Sequence, residues 1–217
     1  MAIYHPKLDL LMSYAAGSSG ESWGLAIATH MALCPDCRSI VSLAEEMGGS
    51  LLEDVAPEPM NSSSWEQLAS QLGSPEAVQI ASPETATPSA QPTFPEPLRR
   101  YVGNDAKDIP WKRLSGVGYQ HLIPTRDLGQ ARLLKILAGR TIPQHGHRGR
   151  ELTLVLSGFF SDHLGEFTRG DLEDTDEDLI HQPATSAHAD CICLAVTDSP
   201  LRFTSLIPRL VQPFFRI

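Results

Sequence analysis

The residues of this 217-residue chain best suited to chemistry are histidines, cysteines and one glutamate in two tight groups. The first group is His30-x3-Cys34-x2-Cys37. Steps of four and three residues return to one helix face, and Pro35 places a break between the two cysteines. Two thiolates with one or two imidazoles form a donor set that Zn²⁺ takes in a closed tetrahedral site. A fourth donor is needed, and His5 is the only other histidine or cysteine within residues 1–73. The alternative is two buried cysteines beside an incidental histidine, since cysteine is among the most buried residue types.

The second group lies between Gly139 and Gly158 and reads G-x5-H-x-H-x3-E-x6-G, through His145, His147 and Glu151. Residues two apart on a strand point to one side, so the two imidazoles converge, and Glu151 adds an oxygen from the start of the next strand. The pattern matches the first cupin motif at every fixed position. His181, eleven residues after Gly170, stands at the glycine-to-histidine spacing of the second cupin motif. The match there is partial: Asp176, Asp178 and Thr185 replace the motif's proline, glycine and asparagine. Three imidazoles and a carboxylate suit Zn²⁺, the first choice here, or Mn²⁺, Fe²⁺ or Ni²⁺. The alternative is an alternating strand with chance histidines, of which the chain has eight.

The elements that must position these groups change period along the chain. Residues 1–73 read as helices: Asp9–Ala16 closed by Gly17, Glu21–Leu33, Pro35–Met47 stopped by Gly48-Gly49, and a fourth opening at Ser63 with Glu66 as a capping box. Residues 74–97 hold six prolines among Ser, Thr and Ala, which suits a linker. Residues 98–217 show short apolar or alternating segments: Ala131–Leu137, Glu151–Leu156, Gly158–Asp162, Asp190–Val196 and Leu201–Leu206. That pattern predicts an all-β sandwich or barrel. The expected fold is α + β in two domains, 1–73 and 98–217, joined by 74–97.

Composition bounds the function. Hydrophobic residues at 41% and charged residues at 20% are ordinary for a globular protein. The net charge of -9 argues against direct nucleic-acid binding, which needs clustered Lys and Arg. Residues 1–73 carry Lys7 and Arg38 against nine carboxylates, a surface that suits a basic protein partner or merely water. Neither a secretory signal nor about 18 consecutive apolar residues occurs, so the expected location is the cytoplasm, with no membrane span. Reduced thiols are the rule there, and the four cysteines read as ligands or core residues before disulfides. Cys191 and Cys193 read as core thiols, and the acidic run Glu173–Asp178 as a solvated loop.

The first group, on a helical unit containing Leu10-Leu11-Met12-Ser13-Tyr14-Ala15-Ala16-Gly17 and Ala28-Thr29-His30-Met31-Ala32-Leu33-Cys34-Pro35-Asp36-Cys37, resembles the zinc-binding anti-sigma domain of ChrR-type anti-sigma factors. Followed by a cupin, it resembles that family over nearly the whole length. The resemblance implies a four-helix zinc domain that sequesters an extracytoplasmic-function (ECF) sigma factor, and a cupin barrel needed for its release under singlet oxygen or related oxidants. It implies metal ligands at His5, His30, Cys34 and Cys37, and at His145, His147, Glu151 and His181, with no catalytic residues. The rival readings are a cupin dioxygenase with an accessory helical domain, and a metal or redox sensor acting on another partner.

Overall fold

The computed structural model describes residues 2–72, 93–114 and 116–199, with the backbone of 202–203. The chain forms two compact units: residues 1–47 with 92–217, and residues 48–91. Most of the predicted linker, and most of the predicted Leu201–Leu206 strand, lies outside the described residues.

The first unit opens with α1 (Leu8–Ala15) and α2 (Glu21–Met31). Next come the start of α3 (Pro35–Glu53) and, later, α5 (Glu96–Val102). Twelve short strands follow among the described residues: β1 (Lys112–Leu114), β2 (Gly118–Ile123), β3 (Gln130–Ile136), β4 (His145–Gly146), β5 (Glu151–Ser157), β6 (Phe159–Ser161), β7 (Glu166–Thr168), β8 (Leu172–Thr175), β9 (Ile180–His181), β10 (Ala184–Thr185), β11 (Cys191–Thr197) and β12 (Arg202–Phe203). They pair antiparallel in three sheets, ordered β1-β2-β3-β11-β5-β8, β10-β6-β7 and β12-β4-β9. The second unit contains the end of α3 and α4 (Ser64–Leu72).

The central strands explain how the first helices are placed. Every residue of β11 is buried, so this strand is covered on both faces. One cover is α2, which packs against β3, β5 and β11. Leu25, Ala26 and Ile27 of α2 and Val41 of α3 belong to one apolar cluster with Leu133, Leu152, Leu154 and Leu194 of the sheet. The contiguous run Leu25-Ala26-Ile27 is wider than a single amphipathic stripe, as expected of a helix buried on more than one side. The sequence reading divides the chain at 73 and 98, whereas in the structure residues 1–47 share a core with the strands.

Loop 125–129 also fixes α2. Its N-cap, Gly20, has no side chain to offer, and Asp127 supplies the missing carboxylate. Asp127 Oδ2 accepts from the Ser22 amide at 3.1 Å and the Ser22 hydroxyl at 2.6 Å, a helix cap lent from 105 residues away.

One helix end and one helix cap differ from expectation. α3 continues through Gly48 and Gly49 to Glu53. Neither glycine takes the positive φ that ends a helix, and each costs only about 1 kcal/mol against alanine inside one. At α4, Ser63 Oγ accepts from Gln67 Nε2 at 3.3 Å, and Asn61 Oδ1 accepts from the Ser63 amide. The start of α4 is therefore held by Asn61 and Gln67, where a capping box through Glu66 was expected.

Candidate metal centres

His30 sits in the last turn of α2. The amides of Leu33 and Cys34 both donate to its carbonyl at 2.8 Å, tightening the chain into the break before Pro35. Cys37 then falls in the first turn of α3 and returns to His30. His30 Nε2 is 3.3 Å from Cys37 Sγ, and His5 Nδ1 is 3.4 Å from both Cys34 Sγ and Cys37 Sγ. Tetrahedral zinc with ordinary bond lengths sets sulfur and nitrogen donors about 3.6 Å apart, so the spacing fits such an ion. His30, Cys34 and Cys37 are buried, while His5 is exposed.

The protonation of this cluster is awkward without a cation. Burial pulls the His30 imidazole down to about 4, and burial with the neighbouring Cys34 thiol pushes Cys37 up to about 12. His30 Nδ1 has no hydrogen bond of good geometry, although the Gly170 backbone acts on the ring. A divalent ion reverses this balance, because it stabilises thiolate and neutral imidazole together.

The second cluster draws on three strands of two sheets. His145 on β4 pairs in register with His181 on β9, His147 follows β4, and Glu151 opens β5. The four side chains offer donor atoms within 4.8 Å of one another, and all four residues are between 2% and 7% exposed. His181 Nε2 lies 3.1 Å from His145 Nε2 and 3.2 Å from His147 Nε2, against about 3.3 Å between nitrogens on tetrahedral zinc. Gly158, closing the motif, turns the chain from β5 into β6 at φ +71°, and a side chain there would strike the Asp190 carbonyl.

The outer nitrogens show that these rings point lone pairs inward. His145 Nδ1 donates to the Pro143 carbonyl at 2.9 Å. His181 Nδ1 faces Asp162 Oδ2 at 3.1 Å and Glu173 Oε1 at 3.2 Å. With neutral rings and their N–H groups used outward, both inner Nε2 atoms are acceptors, and a cation between them would satisfy the pair. His147 Nδ1 and Glu151 Oε2 are 3.0 Å apart, yet neither makes a well-aligned hydrogen bond. That is the geometry of donors converging on a common centre.

The charges of Glu151 and His145 agree with this assignment. Burial opposes ionisation of Glu151, but the three surrounding imidazoles more than offset it and hold the carboxyl at about 2. Burial lowers His145 to about 4. Burial also opposes a charge on His181, but Glu173 and the other carboxylates raise it overall.

Asp162 and Glu173 are the functional residues missing from the sequence reading. Glu173 begins the acidic run expected to be a solvated loop. In the structure it is 3% exposed on β8, and burial raises its carboxyl to about 7. Asp174 is held by Arg150 at 2.6 Å; only Asp176, Glu177 and Asp178 of the run are exposed. A metal-binding histidine needs an outer hydrogen-bond partner, but no spacing rule says which acid supplies it.

Cys191 and Cys193 are buried free thiols 3.5 Å apart, clustered with Val155, Phe160 and Phe167. Their contact and burial push Cys193 well above the usual thiol range.

Residues 100–200 match the family described as the ChrR cupin-like domain. Over 218 aligned residues, covering 100% of both chains, the sequence is 45% identical to anti-sigma-E factor ChrR of Cereibacter sphaeroides. It also superimposes on a chain in the crystal structure of Rhodobacter sphaeroides SigE in complex with the anti-sigma ChrR. That match has a TM-score of 0.80 and 39% identity, over 91% of this chain and 100% of the other. With a relative this similar along its entire length, the chain belongs to the ChrR family of anti-sigma factors.

Proposed function

We propose that this protein is a cytoplasmic anti-sigma factor that sequesters an ECF sigma factor and releases it under oxidative stress such as singlet oxygen. The observation that carries the reading is an apolar helix surface left in solvent. On α3, Ile40, Leu43, Met47 and Leu51 recur at steps of three and four residues and are 41% to 71% exposed. On α4, Trp65, Leu68 and Leu72 repeat the spacing at 49% to 71%. Stripes of this kind mark helices that bind a partner. The surplus of carboxylates in residues 1–73 favours a basic one.

In this reading α1 to α4 form a four-helix sigma-binding module, whose residues 1–47 share a core with the strands, and the strands form a closed cupin barrel that modulates the hold. Zinc at His5, His30, Cys34 and Cys37 ties the first segment to α2 and α3. The S2N2 donor set and the 3.3–3.4 Å spacing support zinc there. The second cluster, His145, His147, Glu151 and His181, holds a divalent metal, zinc in the first instance, with Mn²⁺, Fe²⁺ or Ni²⁺ as alternatives. When bound, that ion gives the barrel a charge-dependent joint between β4, β5 and β9. His181 is oriented toward it by Asp162 and Glu173.

The activity is stoichiometric capture without catalysis. Similarity along the whole length to an anti-sigma factor supports this over the dioxygenase reading. No helix among the described residues is long and apolar enough to cross a membrane, in keeping with the proposed location. Mixing the full chain with the ECF sigma factor of its own organism should give a one-to-one complex on size exclusion with light scattering. Separate elution at micromolar concentrations would refute the function.

A further inference from the structure

Before α1 the chain runs along β8, and its contacts there are specific. Asp171, fully buried, precedes β8. Its Oδ1 accepts from the Ile3 amide at 2.6 Å and the Tyr4 amide at 3.1 Å, while its Oδ2 accepts from the Thr168 amide and hydroxyl, each at 2.8 Å. The Leu172 amide donates to the Tyr4 carbonyl at 3.1 Å, and the Tyr4 ring packs on Phe167 with centroids 4.4 Å apart. Further along, Arg150 bridges Asp9, at 2.7 Å, and Asp174, at 2.6 Å. Between the two anchors lies His5, the one ligand of the first cluster that precedes α1, away from the α2–α3 stretch that carries the other three.

Just before Asp171, Gly170 turns the chain at φ +95°, a conformation that favours glycine, with Leu33 and Ala2 nearby. The same strand serves the other cluster. Glu173, two residues after Asp171, faces His181 Nδ1 at 3.2 Å, and Arg150 adjoins Glu151. Residues 171–174 therefore hold an outer support of both clusters.

We propose that Asp171 is the positioning residue that presents His5 to the first metal centre, and that β8 couples this centre to the second through Glu173 and His181. This rests on the reading of both clusters as metal centres. The Ile3 and Tyr4 amides share one carboxylate oxygen, so loss of that oxygen removes two of the bonds that hold the segment carrying His5 and weakens its place beside His30, Cys34 and Cys37. Disturbance of His181 reaches the same segment by displacing Glu173 and with it β8. Coupling of this kind appears as non-additivity between the two positions.

The test uses the full chain loaded with metal. Bound metal is counted first, and alkylation of each cysteine by iodoacetamide is then followed by mass spectrometry in the presence of a chelator. Asp171→Ala should speed modification of Cys34 and Cys37 by about 10-fold or more, the scale of losing an outer support of a ligand. Buried Cys191 and Cys193 should stay slow and the second metal should stay bound, which a general loosening of the fold would not allow. Asp171→Asn, keeping one acceptor oxygen, should fall between Asp171→Ala and wild type. Ile3→Pro removes the short bond from the other side, at a residue 75% exposed, and should act in the same direction without touching the sheet. His181→Ala should also speed Cys34 and Cys37, but should add nothing in the Asp171→Ala background.

Rates within twofold of wild type for both Asp171→Ala and Ile3→Pro would overturn the positioning role. Full additivity of Asp171→Ala and His181→Ala would overturn the coupling. A wild-type chain with no metal at either cluster would instead remove the metal reading itself, and this proposal with it.

Discussion

Replacing Ile27 by alanine tests whether the first helices and the strands share one core. Ile27 is fully buried on α2, in the cluster that also contains Leu133, Leu154 and Leu194. Truncating a buried isoleucine to alanine loses the transfer energy of the removed carbons and leaves a cavity, together about 2–5 kcal/mol. For a cooperative unit the size of residues 1–47 with 92–217, each kcal/mol lowers Tm by roughly 2–4 °C, which gives a fall of about 4–20 °C. Calorimetry should be run at fixed free metal, because bound ions raise Tm by mass action. Tryptophan fluorescence should accompany it, with Trp23 on α2 and Trp111 before β1 as reporters in single-tryptophan variants. Both reporters should shift together in Ile27→Ala. A shift confined to Trp23, with Trp111 unchanged, would refute a shared core and return the chain to two independent domains.

Cys34→Ser or Cys37→Ser should lower bound metal from about two ions per chain to about one by elemental analysis, since a hydroxyl replaces a thiolate ligand; an unchanged count would make these cysteines core residues. Leu51→Asp with Leu68→Asp should leave Tm within a few degrees of wild type, because both side chains are exposed, yet weaken sigma-factor capture at least 100-fold by surface plasmon resonance. Burial opposes the Asp171 charge, but the Ile3, Thr168 and Tyr4 amides more than offset it and hold the carboxyl below its ordinary 3.8. With its folded pKa depressed, the contribution of Asp171 is complete above about pH 4 and lost as pH falls through the lower folded value. The Ile3 and Tyr4 amide shifts should therefore stay constant from about pH 5 to 8 by NMR, and a transition in that window would contradict the assignment.

The parts legible in the sequence are those with a local spacing. His30, Cys34 and Cys37 lie within eight residues, and α2 and α3 bring them together by helix geometry and one proline. His145, His147 and Glu151 lie within seven, so the short connection from β4 to β5 keeps them together. β3, β5 and β11 fall within two residues of their predicted bounds because buried strands leave long apolar runs. What was not legible depends on pairs far apart in the chain. Asp127 capping α2, Asp171 holding Ile3 and Tyr4, and Asp162 behind His181 are single carboxylates with no periodicity to announce them. Glu173 was hidden by its neighbours: a polar run reads as a loop, although its first members lie in a strand. α3 outran its glycine pair because glycine ends a helix only where the chain takes a left-handed turn.

Capture of a sigma factor is measured most directly by in vitro transcription. Core RNA polymerase and the ECF sigma factor of the same organism would be supplied with a promoter of that factor, and the metal-loaded chain titrated in before core is added. Transcripts should fall linearly and vanish near one chain per sigma factor, while transcription driven by the primary sigma factor should be untouched. Undiminished ECF transcription at a tenfold excess of the chain would contradict capture.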